Sequence, residues 1–569
     1  MNRESGRDVR WAPLIALPVV LWLLAGYGAN SFWLAADEGA YADCAWRVLQ
    51  GQMPHRDFLL NRPGADLWVN ALAFQVAGAK LSSLRWPVLI LAVLQTMFVA
   101  RLLRPLGLAV TVLGIFWVTA LGLPAVPSPS SSLYSNFFVL AALAVASIER
   151  PWKRPRWLLL LGALWGLAFC CRQLAAVFLG CGLLGWALSQ RELEDREDPS
   201  WVARGFLLLS ALVLTWYGTG RSDLYGILFF GLPPALLAWR AFWLARPSRA
   251  LCGPILAWTA LGFVGAAVPL ALFYAWQGVL VAWLRDIVVT SGSFLKLGFA
   301  ANFLLSDILR DVLRAVPLIR TPLSLLQLAT WLALLFLPAV LAGYCWKKGA
   351  DVPVYVYSGP FLALAALHLE IAIYLFWALP VAALGGVYLL TRVSRPGGLA
   401  PVVGGLLLVG FFNSAVGKPV WTRDQRDFVL TPWGGRERLV YLGGGADLWL
   451  PPAVAQFYAR TVALVQSESR PGEPILSFPY SPEWYVLCDR PNPTPYAAPG
   501  LSLTDPTSLR SYEMGIEQSR PAVILFRRTD KYNTPYTFQL REWLERDYRL
   551  LRQENGYEIL RRKTPQALI

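Results

Sequence analysis

The chain has 569 residues, of which 56% are hydrophobic and 15% charged, with a mean hydropathy of +0.46 and a formal net charge of +15. Soluble globular proteins carry about 25% charged residues, so the composition excludes a protein that is soluble throughout. The positive charge does not indicate nucleic acid, because Lys and Arg gather in short loops between apolar runs, as membrane-topology signals do. The seven cysteines show no metal-binding spacing. Most of them lie inside apolar runs, where Cys behaves as a small hydrophobe. Only Cys44 and Cys488 fall in segments expected outside the cytoplasm, and the sequence leaves a disulfide between them open.

Taken in chain order, Arg3, Arg7 and Arg10 precede the apolar run Trp11–Ala29. That run is longer than the apolar region of a signal peptide and has no small-x-small cleavage site, so a retained first span is expected. A long outside loop follows, from Asn30 to Leu81. Span 2 (Ser82–Ala100) returns to Arg101 and Arg104, span 3 (Gly107–Leu123) leaves, and span 4 (Leu133–Ile148) returns to ERPWKRPR. Spans 5 and 6 come from Trp157–Leu188, with Arg172 and Gln173 near their outer turn. Spans 7 and 8 flank Gly218–Asp223, and span 9 (Gly253–Trp276) leads to a second outside segment, Gln277–Pro322. Span 10 ends at Lys347 and Lys348, and span 11 (Val354–Leu367) exits at His368 and Glu370. Span 12 returns to Arg392 and Arg395, and span 13 (Leu399–Val416) leaves again.

The expected fold class is therefore a polytopic α-helical membrane protein of about 13 spans with a C-terminal extracytoplasmic α/β domain. Its N-terminus is expected in the cytoplasm of a bacterium and its spans in the inner membrane. The domains divide as 1–416 and 417–569, with 30–81 as the first outside loop. No repeat or inverted symmetry is visible, which weighs against common transporter architectures. In the C-terminal part, GEPILSFPY and PAVILFRR read as strands, FQLREWLERDYRLL as a helix, and RPNPTPYAAPG as loop.

The first outside loop carries the chemistry. Asp37 and Glu38 follow span 1 at the expected membrane boundary. Tyr41, Ala45, Val48 and Leu49 fall on one helical face, giving a short amphipathic helix suited to the interface. Gly51 ends it. His55-Arg56-Asp57 and Asn61-Arg62-Pro63 come next, then a mostly apolar helix from about Gly64 to Gly78. A carboxylate pair facing the cation Arg62 could take a proton from a hydroxyl while cations hold a lipid phosphate. The plainer reading is that Asp37 and Glu38 only cap a helix.

The residues Asp37, Glu38, Tyr41, Ala45, Leu49, Gly51, Pro54, Asp57, Phe58, Arg62 and Pro63 form a pattern. It resembles the first periplasmic loop of GT-C glycosyltransferases, in the branch that contains protein O-mannosyltransferases and aminoarabinose transferases of lipid A (glycosyltransferase family 39-like). The layout of about 13 spans, interfacial helices and an extracytoplasmic domain is similar too. The resemblance implies transfer of a sugar from a polyprenyl-phosphate donor to a lipid, glycan or protein acceptor, on the outer face, with inversion. It implies Asp37 as the base and Glu38 as its acidic neighbour. Arg62, Arg172 and His368 match positions that contact the donor phosphate, and Tyr41, His55, Arg56 and Asp57 belong to the substrate loop. Some relatives carry a second acid before span 4. Here Ser128–Asn136 has none, so no metal and no cofactor are expected.

Simpler readings stand beside these. Arg172 could be a snorkelling residue at a span end, and His368 a plain interfacial histidine. A transporter or lipid flippase would use Arg172, His368 and Glu370 to line a path, and an inactive envelope scaffold would use none of them.

Overall fold

The computed structural model describes residues 11–23, 33–122, 128–148, 151–195, 197–220, 223–290, 304–314, 321–368, 372–393, 399–416, 428–429, 439–497, 499–503, 505–530 and 532–563. Arg3, Arg7, Arg10, Glu370 and Arg395, singled out in the sequence, lie outside them.

Each apolar segment marked as a span is helical where it is described. Among the described residues, five helical stretches are long and apolar enough to cross a membrane: Leu81–Leu106, Trp201–Thr219, Leu224–Leu244, Arg249–Trp276 and Pro322–Lys348. Shorter apolar helices of 10–17 residues include Leu108–Leu121, Ser131–Ala146, Pro155–Cys171 and Gln173–Leu188. The long helices turn large apolar side chains outward, among them Leu209, Leu212 and Trp216, and Leu261, Val264 and Leu272. In water such faces would be covered; here they form the outer surface of a multi-pass membrane protein.

Close helix contacts set the frame of the site. In α4 (Pro155–Cys171), a Cβ on Gly162 would lie 2.0 Å from the Thr259 carbonyl oxygen of Arg249–Trp276. Gly166 meets the Phe263 carbonyl in the same way, and Gly262 meets that of Leu159. Small residues four apart let the two backbones touch, as membrane helix pairs require. That contact seats the end of α4, where Arg172 begins the next helix.

The C-terminal part is an α/β layer. Strands β1 (Ile475–Phe478) and β2 (Val523–Arg527) pair in parallel, and β4 (Tyr557–Arg562) and β3 (Tyr548–Glu554) complete the order β1-β2-β4-β3 with antiparallel pairings. The two strands read from sequence are β1 and β2. The helix expected over 538–551 instead spans Pro535–Leu544, and its second half is strand β3. The cause is the hairpin β3–β4, whose turn residues Asn555 and Gly556 take φ of 49° and 79°. An Asn-Gly pair with both φ positive makes the turn whose twist matches a strand pair.

The C-terminal layer packs directly on the segment 33–81. Trp33, Ala42, Cys44, Phe58, Leu67 and Phe74 share one buried core with Leu448, Phe457, Trp484, Tyr485 and Cys488. The two-residue strand Trp33–Leu34 also pairs with Phe428–Val429. Cys44 and Cys488 are both buried in this core as free thiols.

This packing corrects the expectation for helix α1 (Ala35–Leu49). Its buried side is Glu38, Gly39, Ala42, Asp43 and Ala45, whereas Leu49 is exposed and Tyr41 and Val48 are half-buried. The helix is covered by protein because α7 (Glu483–Cys488) lies against it. A Cβ on Gly39 would sit 2.3 Å from the Glu483 backbone nitrogen, so only glycine permits that approach.

Candidate active site

Side chains from both parts of the chain converge on a cleft of about 190 Å³ between the helical body and the C-terminal layer. The first contribution comes from α1. Asp37, Ala40, Tyr41 and Cys44 line the cleft, and their spacing of i, i+3, i+4 and i+7 places them on one helical face. Glu38, one residue on, points elsewhere. It is buried, and both its oxygens accept from Arg85 Nη2, at 3.1 and 2.8 Å. The adjacent acids expected to work together thus face different surroundings.

The second segment is the loop before α2 (Ala65–Ala77), where Asn61 and Arg62 line the cleft. Arg62 Nε donates to Asp66 Oδ2 at 2.8 Å, and its guanidinium lies 4.7 Å above the Tyr41 ring. Asp66 holds Arg62 in place and offsets part of its charge.

The third is the break between α4 and α5 (Gln173–Leu188). Arg172 is extended there, with φ −151° and ψ 111°, which ends one helix and starts the next. Its guanidinium sits 5.4 Å from the Tyr374 ring and donates to Ser132 Oγ. Gln173 Nε2 donates to the carbonyls of Asn61 and Ile287, at 3.0 and 3.2 Å, and pins the break to the segments that carry them. Ser131, the first residue of α3 (Ser131–Ala146), also lines the cleft. The N-termini of α3 and α5 therefore border it with Arg62 and Arg172. Helix N-termini and guanidinium groups both attract anions, phosphate above all.

The fourth contribution is aromatic. His368, Tyr374 and Trp377 come from the late helices, and Tyr480, Tyr496 and Tyr532 from the C-terminal layer. The buried Trp377 indole N–H has no hydrogen-bond partner among the described residues and is available to a ligand. Tyr480 donates to Asp37 Oδ1 at 2.5 Å. Burial, and then the charge of Asp37, raise the Tyr480 phenol well above the usual value, so it stays protonated as that donor. Burial likewise pushes Tyr41 up to about 12, against the pull of Arg62.

The cleft thus holds five residues expected from sequence: Asp37, Tyr41, Arg62, Arg172 and His368. Four others lie off it. Glu38 pairs with Arg85. His55 is buried with Nδ1 3.0 Å from Asp286 Oδ2, and its pKa is lowered, chiefly by burial. Arg56 pairs with Asp57, whose carboxylate also accepts from the Met53 N–H at 2.6 Å. His55 and Asp57 hold the loop in shape and do not reach the cleft. Sequence reasoning missed Gln173, Tyr374, Trp377, Tyr480, Tyr496 and Tyr532. For Gln173 the neighbouring Arg172 was a signal. For Tyr480, 443 positions from its carboxylate, there was none. Among the described residues no three His, Cys, Asp or Glu side chains converge as metal ligands.

Residues 61–216, which include Arg62, the α4–α5 break and Arg172, match the family model described as dolichyl-phosphate-mannose-protein mannosyltransferase. The match supports GT-C superfamily membership. It also supports a glycosyltransferase in general terms. Comparison with curated proteins gives no match. Solved structures similar to the chain include ArnT from Cupriavidus metallidurans in its apo state, with a TM-score of 0.40 and 13% identity over 96% of this chain and 97% of that one. ArnT from the same organism bound to undecaprenyl phosphate gives 0.37 and 11%, with the same coverage. The functional reading rests on the cleft and the segment match.

Proposed function

We propose that this protein is an inverting glycosyltransferase that moves a sugar from a polyprenyl phosphate to an acceptor hydroxyl at the outer face of the inner membrane. The observation that carries this reading is the convergence of Asp37 with Arg62 and Arg172 in one cleft beside the apolar helices. Asp37 takes the proton of the acceptor hydroxyl as its oxygen attacks the anomeric carbon. The bond from that carbon to the phosphate oxygen breaks as the new one forms, which inverts the centre. The departing phosphate keeps the electron pair, and Arg62, Arg172, the two helix N-termini and the Trp377 N–H hold its growing charge. Polyprenyl phosphate is already a good leaving group, so one base suffices.

In this reading 1–416 spans the membrane with its N-terminus in the cytoplasm, and 417–569 forms the extracytoplasmic domain. Alkaline phosphatase fused after Val416 is expected to be active, because the enzyme folds only outside the cytoplasm. An inactive phosphatase together with a fluorescent cytoplasmic reporter at that site would overturn the odd number of crossings.

The reaction itself is tested by mass spectrometry of envelope glycolipids and glycans from cells carrying the wild-type chain or Asp37→Asn. A sugar-bearing product present only with the wild type is expected, and identical spectra would sink the assignment. A lipid flippase would bind the same phosphate without making a new glycosidic bond of its own.

Donor binding is tested with undecaprenyl phosphate as the probe. Losing a charge-assisted contact costs about 1.5–3 kcal/mol. Arg62→Ala and Arg172→Ala should each weaken binding at least about tenfold. If both variants bind like wild type, the two arginines are topology signals and nothing more.

A further inference from the structure

Asp37 sits at the start of α1, yet the donor held against its carboxylate belongs to the far end of the chain. Tyr480 lies between β1 and α7, and its hydroxyl donates to Asp37 Oδ1 at 2.5 Å. The loop bearing Tyr480 is held on both sides. At Gly39 the Glu483 backbone is in direct contact with α1, two residues from Asp37. On the other side the Tyr532 ring meets Tyr480 edge to face, with centroids 4.8 Å apart. Phe478, at the end of β1, stacks on Phe526 of β2 at 4.8 Å, which fixes the strand that delivers the loop.

We propose that Tyr480 is a positioning residue for the base, so that the C-terminal layer completes the active site and does more than cover it. Resting on the glycosyltransferase reading, this assigns the phenol two tasks. It fixes the orientation of the carboxylate in the cleft through Oδ1. It also stabilises the charged carboxylate, because a hydrogen bond donated to the ionised form favours that form. Groups that also face Asp37 include Tyr41 on its own helix and Tyr374 from the late helices. Arg62, Arg172 and His368 share the cleft, and Glu38 is turned away to Arg85. Among the described residues that line the cleft, the charged side chains come from the helical body, and Tyr480 of the C-terminal layer hydrogen-bonds the base.

The test uses Tyr480→Phe, which keeps the ring and its contact with Tyr532 and removes the hydroxyl. Isolated membranes of the source cells supply donor and acceptor. The initial rate of the product identified by mass spectrometry is followed from acidic to alkaline pH for wild type, Tyr480→Phe and Asp37→Asn. The acid limb of the Tyr480→Phe profile should move up by about one pH unit, and the rate on that limb should fall about tenfold. A purely structural role would lower the rate equally at every pH. An unmoved acid limb therefore overturns the proposal, as does a Tyr480→Phe profile identical to wild type. Failure of the wider reading looks different, since Asp37→Asn would then make product at the wild-type rate. Should Tyr480→Phe accumulate poorly, the position of its acid limb is still read from the fraction that folds, because the pH at which the rate falls does not depend on the amount of enzyme.

Discussion

Asp37→Asn is expected to cut the rate of sugar transfer by about 10²–10⁴-fold while donor binding survives, the usual range for loss of a general base. Asn keeps the shape of the side chain and can still accept the Tyr480 hydrogen bond, so the fold and the cleft should persist. It cannot take a proton. Asp37 stands in the first turn of α1, and a role as a simple helix-terminal group predicts a different result. Asn serves a helix start as well as Asp, and a charge at the helix N-terminus contributes only about 0.3–1 kcal/mol. On that account the substitution is nearly silent in turnover. The decisive measurement pairs the product rate with binding of undecaprenyl phosphate. A variant that binds the lipid and turns over at the wild-type rate would remove Asp37 from the chemistry.

Glu38→Ala should act on stability. Glu38 is buried and accepts twice from Arg85, which is itself 1% exposed. Removing one partner of a buried ion pair leaves the other charge in a low dielectric, a loss of about 3–5 kcal/mol. Arg85 begins the apolar helix Arg85–Leu103, so the pair ties α1 to that helix. Lower yield and earlier thermal unfolding in detergent are expected, with the folded fraction keeping its turnover within about tenfold. Glu38→Gln should be milder because the amide still offers an acceptor. Replacing both partners, Glu38→Leu with Arg85→Met, should recover much of the stability, since a matched apolar pair leaves no buried charge. Unchanged unfolding with abolished turnover in Glu38→Ala would instead return Glu38 to the catalytic role proposed for its neighbour.

Hydrophobic run length and the placement of Arg and Lys marked the helical segments, because every backbone group in a bilayer must be satisfied within a helix and that demand is local. The sequence also carried the first loop's helices, the strands Ile475–Phe478 and Val523–Arg527, and the cleft residues Asp37, Tyr41, Arg62, Arg172 and His368. Each of these is a residue type in a local context: a carboxylate at a helix start, or a cation inside an apolar run. The Asn555–Gly556 turn was just as local, and a helical reading of the apolar spacing before it hid strand Tyr548–Glu554.

Only the tertiary structure decided how the two acids divide. Adjacent residues on a helix point about 100° apart, so what each meets depends on which elements pack there. Asp37 meets the cleft and Glu38 meets Arg85. The tertiary structure likewise decided that α1 is covered by protein. That cover depends on a backbone contact between Gly39 and Glu483, and local amphipathicity cannot report which surface will cover a face. The same contact brings Tyr480 to Asp37 across 443 positions of chain. A hydrogen bond of that span leaves no periodicity and no spacing in the sequence, because it exists only once the C-terminal layer has docked.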